Sequence, residues 1–99
     1  MKLMVCIVNN FYTAELESRM ESKGYRMTEL SSSGGFLKRG NTTFLFGIED
    51  EQIDQLKKDL KETCISYEQV KGKRAETTNR YTAFVLNMHE ALYLSELTK

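Results

Sequence analysis

The chain has no proline and no tryptophan, one histidine and two cysteines. Without proline, no position has its φ locked or its backbone donor removed. Cys6 lies inside the first apolar run and Cys64 closes a helical pattern, with no CxxC pair. Such thiols read as reduced, buried small hydrophobes rather than a redox pair. His89 has no recognisable ligating or nucleophilic partner in the sequence, so neither a metal site nor a Cys–His centre is expected. Net charge is also missing, because fourteen basic side chains balance fourteen acidic ones. A neutral chain exerts no global field on a polyanion, and a nucleic-acid partner would need a local patch. The apolar run in MKLMVCIV stops at Asn9-Asn10, too short for a signal peptide or a membrane span. A cytosolic location with no membrane contact is expected.

Ninety-nine residues, 40% of them apolar and 28% charged, suit one soluble domain covering residues 1–99. Leu3–Val8 is apolar without alternation, the mark of a strand buried on both faces. Thr13–Lys23 reads as a helix with Leu16 and Met20 one turn apart, and Gly24 suits the position just beyond its end. Tyr25–Ser31 reads as a strand with Arg26 and Thr28 on one face and Tyr25 and Met27 on the other. Thr42–Ile48 is a further apolar strand. Asp50 is placed to cap a helix from Glu51 to about Cys64, with Ile53, Leu56, Leu60 and Cys64 as its stripe. Ile65–Val70 reads as a short extended piece, Lys71–Arg80 as a polar, basic loop, Tyr81–Leu86 as a buried strand and Met88–Leu97 as a terminal helix. The order β-α-β-β-α-β is the ferredoxin-like arrangement of an α+β domain. Two helices cover one sheet face only, while three strands are apolar on both. Further copies of the chain are the simplest cover for the other face.

The stretch SSSGGFLKRGNTTFLFG, residues 31–47, is where ligand chemistry gathers. Its Gly35-x4-Gly40-Asn41-Thr42 is one residue from a P-loop, but the lysine is replaced by Asn41, and a strand pattern follows where a P-loop opens a helix. Arg39, Gly40 and Phe46 match the third-strand signature of an RNA-recognition domain of the same element order. Asn41 and Thr43 then stand where stacking aromatics belong, which removes the main contribution to base binding. On local chemistry alone, Gly34 and Gly35 let backbone amides approach an anion, Lys38 and Arg39 add positive potential, and Phe36 and Leu37 can wall a purine. Asn41 pairs a donor with an acceptor, as an adenine edge requires. Arg26 and Thr28 can reach ribose or phosphate. The same residues also suit a flexible turn, an interface plug, a surface ion pair and a turn cap.

Arg26-Met27-Thr28-x-Leu30 followed by Ser33-Gly34-Gly35-Phe36-Leu37-x-x-Gly40-Asn41-Thr42-Thr43-Phe44-Leu45-x-Gly47 resembles the signature of the cyclic di-AMP receptors. These are bacterial PII-like signalling proteins, formerly classed as a domain of unknown function. The likeness covers about residues 1–64 and 81–92. It implies a ferredoxin-like, PII-like homotrimer without catalysis, binding cyclic di-AMP or a related adenine nucleotide at three subunit interfaces and passing the signal to an unidentified protein partner. Carried over residue by residue, it implies ligand contacts at Arg26, Thr28, Gly35, Phe36, Leu37, Asn41, Gly47 and Phe84. Amides of Gly35–Leu37 and the Arg26 guanidinium are expected on phosphate, Asn41 and Thr28 near adenine, Phe36 as an apolar wall, and Gly47 as open space for the base. Ile65–Arg80 is shorter and more basic than the family's loop, and Tyr93 stands where the family has a glutamine. Two other classes fit the same architecture: a trimeric interaction module that has lost its nucleotide, and a trimeric metal-tolerance protein, which the scarcity of histidine and cysteine disfavours. No cofactor is expected.

Overall fold

Alternation along the first strand sets the architecture. In β1 (Lys2–Asn9), Met4, Cys6 and Val8 point to one face and are fully buried, because alternate side chains of a strand leave on opposite sides. The computed structural model describes residues 1–30, 40–72 and 80–87 of the chain. In chain order β1 is followed by α1 (Thr13–Ser22), β2 (Arg26–Leu30), β3 (Asn41–Ile48), a 3-10 turn (Asp50–Gln52), α2 (Ile53–Lys71) and β4 (Tyr81–Leu86). The four strands form one antiparallel sheet in the order β2-β3-β1-β4. Each helix therefore links two strands with a third between them, a split β-α-β arrangement. The sheet and its two helices are those of an α+β domain compatible with the ferredoxin-like fold.

The core lies between the helices and one sheet face. Met4, Cys6, Val8, Phe44, Phe46 and Ile48 of the sheet meet Leu16 and Met20 of α1 and Leu56, Leu60 and Cys64 of α2. The i, i+4 spacing of these helix residues turns them to one side. α1 ends as its sequence suggests. Gly24 adopts φ +87°, its N–H donates to Glu21 O at 3.0 Å, and Tyr25 N–H donates to Met20 O at 3.1 Å. These paired bonds satisfy carbonyls that a helix end leaves open.

The second helix corrects the sequence reading at both ends. Asp50 lies inside the 3-10 turn, with Glu49 before it and no side-chain cap bond, and the α-helix starts at Ile53. At the other end, Ile65–Val70 is helical, not extended, and α2 continues to Lys71. Ile65, Tyr67 and Val70 each favour strands slightly, but propensity is weak beside tertiary contacts. The Tyr67 ring lies 5.1 Å from that of Phe11 and 6.2 Å from that of Tyr12. Glu68 accepts a hydrogen bond from the Tyr12 hydroxyl and two from Arg80, Nε at 2.7 Å and Nη2 at 3.1 Å. The helix stops at Gly72, φ +82°, whose N–H donates to Glu68 O at 2.7 Å. The polar connection before β4 is correspondingly shorter than 65–80. The expected terminal helix over 88–97 lies outside the described residues.

Glu68 joins the last turn of α2, the entry to α1 and the start of β4. Burial first, and then the hydrogen bond to Glu68, push the Tyr12 hydroxyl up to about 12. Removing Arg80 leaves a largely buried carboxylate without its bidentate partner, which costs more than an exposed ion pair is worth. Arg80→Ala is expected to lower stability by about 1–3 kcal/mol. Val70→Ala, at a position 79% exposed, should stay within about 0.5 kcal/mol. Urea denaturation of the three proteins checks both, and equal losses would contradict the assigned role of Glu68.

Candidate functional site

The face of the sheet away from the helices carries Arg26, Thr28, Asn41, Gly47 and Phe84. Strand pairing arranges them in rows. Leu86, Leu3, Gly47 and Arg26 lie side by side across the four strands, as do Phe84, Val5, Leu45 and Thr28, and then Thr82, Ile7, Thr43 and Leu30. Much of this face is apolar, and Phe84 is 43% exposed. Among the described residues nothing pairs with the hydroxyl of Thr43, which is buried.

Arg26 and Thr28 lie on β2 directly opposite Gly47 and Leu45 of β3. Together with Leu3, Glu21, Tyr25 and Met27 they line a cavity of about 530 Å³, within the range of small-molecule sites. No residue among those described forms an ion pair with Arg26, so its guanidinium is available to an anion. Gly47 contributes no side chain to the floor. The sequence reading left that space for a base, and the structure places the Met1 thioether methyl beside it, 3.2 Å from where a Cβ would stand.

Asn41 and Phe84 stand apart from this cluster. Asn41 opens β3, paired with Asn9, six residues and about 20 Å from Gly47 at the usual rise of a strand. Its end of the sheet is tied by neighbouring bonds: Asn10 N–H to Gly40 O at 2.9 Å and Thr42 Oγ1 to Asn10 Oδ1 at 2.7 Å. Gly40 enters the strand at φ +82°, a conformation that glycine permits. Phe84 lies on the opposite edge strand from Thr28, three strand spacings or about 14 Å away. Gly35, Phe36 and Leu37 lie outside the described residues, as do Ser33, Gly34, Lys38, Arg39 and Tyr93.

Tyr25 is a residue that the sequence reading placed only on the strand face opposite Arg26 and Thr28. Its ring packs edge-on to Phe46, with centroids 6.3 Å apart, and it also lines the cavity. Its hydroxyl donates to Asp59 Oδ2 at 2.6 Å. Gln55 Nε2 donates to Asp59 Oδ1 at 2.9 Å, and Lys23 Nζ lies 3.8 Å from the same oxygen. Asp59 is a buried charge on the core side of α2, three residues after Leu56 and four before Thr63. That spacing was the signal available in the sequence. Burial alone would raise the Asp59 carboxyl, but hydrogen bonds from Tyr25 and Gln55 and the charges of Lys23 and Lys58 outweigh it and hold the group below its ordinary value. The Tyr25 hydroxyl is pushed up to about 12, chiefly by burial and then by its bond to Asp59. β2 is thereby fixed at the residue before Arg26.

Among the described residues, no group of three His, Cys, Asp or Glu could hold a metal. Burial pushes the Cys6 thiol up to about 12 and the Cys64 thiol up to about 11, so neither is a thiolate nucleophile at neutral pH. No helix among the described residues is long and apolar enough to cross a membrane.

Comparison with known proteins gives two findings. The family described as "Cyclic-di-AMP receptor" matches residues 1–91. Among solved structures, the chain is similar to a functionally unknown protein from Pediococcus pentosaceus ATCC 25745, with 29% identity over 88% of this chain and 90% of that one and a TM-score of 0.64.

The Asp59 network makes stability depend on acid. A carboxyl held below its ordinary value of 3.8 stabilises the fold fully above that value, and the contribution is lost as pH falls through the lower native one. Asp59→Asn should cost about 1–3 kcal/mol at neutral pH. It should also flatten the loss of stability below about pH 4. Urea midpoints measured from pH 7 downward check this. Parallel curves for variant and parent would contradict it.

Proposed function

The chain belongs to the cyclic-di-AMP receptor family, and from that membership we propose that it binds cyclic di-AMP at seams between the copies of a homotrimer. The observation that carries this reading is the separation of the signature residues on one sheet face. Arg26, Thr28 and Gly47 cluster at one end, and Asn41 opens the other end about 20 Å away. A ligand meeting both groups within one chain would have to lie along the whole of β3. A ring of subunits sets one patch of each copy against a different patch of the next, and so brings the Asn41 end of one chain to the Arg26 end of its neighbour. The apolar open face, including exposed Phe84, gives such an assembly surface to bury.

In this reading Arg26 holds a phosphodiester, as planar guanidinium groups do well. Thr28 and Asn41 supply the hydrogen bonds that identify adenine, Gly47 leaves room beside the strand, and, as the signature implies, the amides of Gly35–Leu37 meet phosphate with Phe36 as an apolar wall. Occupancy then biases the contact of the polar connection before β4 with a downstream protein, through differential affinity for its arrangements. The protein works in the cytosol as a binding module and not as an enzyme.

Calorimetry with cyclic di-AMP, cyclic di-GMP and ATP tests the ligand, and light scattering tests the assembly. Cyclic di-AMP should bind most tightly, and the mass should be that of three chains. Asn41→Ala and Arg26→Ala should each weaken binding by about 1–3 kcal/mol. Refolding the two variants together should restore part of the sites, because a mixed seam joins an intact Arg26 to an intact Asn41. Mixtures as weak as the separate variants would place both residues in one chain's site. A trimer that binds none of the nucleotides would be an interaction module instead.

A further inference from the structure

Asn41 stands at the weakly held end of its strand. Among the described residues, the pairing of β2 with β3 ends at Leu30 and Thr43. Beyond that row, Thr42 and Asn41 are paired on the β1 side alone, with Val8 and Asn9. Gly40, at φ +82°, has no side chain to fix how the chain enters. What holds the entry is Asn10. Its N–H donates to Gly40 O at 2.9 Å, and its Oδ1 accepts from Thr42 Oγ1 at 2.7 Å. The two bonds grip the residues immediately before and after Asn41. The turn that carries Asn10 is itself fixed. Asn9 Oδ1 accepts from Phe11 N–H at 2.9 Å, and Asn9 N–H donates to Arg80 O at 3.1 Å. Buried Tyr12 closes the turn with its bond to Glu68.

Resting on the reading of Asn41 as a base contact, we propose that Asn10 is a positioning residue for the ligand site. It sets the backbone from which Asn41 projects, and through it the direction of the Asn41 amide. A hydrogen-bonding side chain selects a base edge only when its own support is held. Bonds on both sides of Asn41 restrict its φ and ψ, and the pleat then sends its side chain to the open face. Asn10 does this without touching the ligand. Thr42 leaves β3 on the same face as Phe44, the helix side, so its bond to Asn10 lies across the sheet from the Asn41 side chain. That bond is also solvent-exposed. Water replaces an exposed hydrogen bond at little cost to the fold, so its loss is felt in the alignment of Asn41 more than in stability.

Calorimetry with cyclic di-AMP on the parent chain and its variants tests this. Asn10→Ala and Thr42→Val break one bond from its two ends, and each should weaken binding several-fold. Thr42→Val leaves the turn unaltered and serves by itself if Asn10→Ala does not fold. Combined with Asn41→Ala, either change should add no further loss, because Asn10 acts through Asn41. Asn10→Asp keeps the acceptor for Thr42 and should bind like the parent. Unchanged affinity in Thr42→Val, or losses that add in full to that of Asn41→Ala, overturns the positioning role and leaves the ligand reading standing. An Asn41→Ala variant as tight as the parent removes the contact that Asn10 positions, and the proposal with it. A parent chain that binds no cyclic di-AMP overturns the ligand reading as well.

Discussion

A single buried carboxylate ties the second helix to the start of the second strand. Asp59 faces inward from α2 and collects the Tyr25 hydroxyl and the Gln55 amide, with the Lys23 ammonium close by. An isolated charge in that place would be costly; surrounded by donors it becomes an anchor. It fastens α2 to the chain where α1 has just ended at Gly24 and β2 is about to begin. The next residue is Arg26, which leaves the sheet on the other face opposite Gly47. The start of β2, the backbone from which Arg26 projects, is therefore held by a bond made on the far side of the sheet.

The two faces of the sheet divide the work. One is sealed by helices through the interleaved side chains of Met4, Cys6, Val8, Phe44 and Phe46, and it supplies rigidity. The other displays Arg26, Thr28 and Gly47 at one end and Asn41 at the other, with the row of Ile7, Thr43 and Leu30 between them. Because side-chain period and strand period coincide, a one-residue slip of β3 against β2 would turn the second set inward. The register that packs the core is the register that sets Arg26 opposite Gly47 and Thr28 opposite Leu45.

Much of this was legible in the sequence, for identifiable reasons. The strands stood out because apolar runs broken by Asn9-Asn10 and Gly40-Asn41 have few other uses. Gly24 marked the end of α1 because a left-handed position there favours glycine. The second helix was harder. Ile65, Tyr67 and Val70 look like strand residues one at a time, and what keeps them helical is packing against Phe11 and Tyr12 and the bonds at Glu68, all distant in sequence. The candidate site was legible as residue types, with only Arg26 and Thr28 placed on a common face. That Asn41 stands at the other end of β3 from Gly47 required the pairing register, and the bond from Tyr25 to Asp59 required three dimensions. Gly35, Phe36 and Leu37 lie outside the described residues, so their place in the site rests on the signature alone.

The bond between Glu68 and Arg80 also bears on how such a chain can diversify. It joins the two stems of the connection between α2 and β4, so the ends of that connection are held together whatever the residues between them do. Lengthening a tether whose ends are already fixed costs little, about 0.6 kcal/mol per doubling. Descendants of one scaffold could thus exchange this segment for others of different size and composition while sheet and pocket stay put, and a protein engineer could graft a reporter peptide there for the same reason.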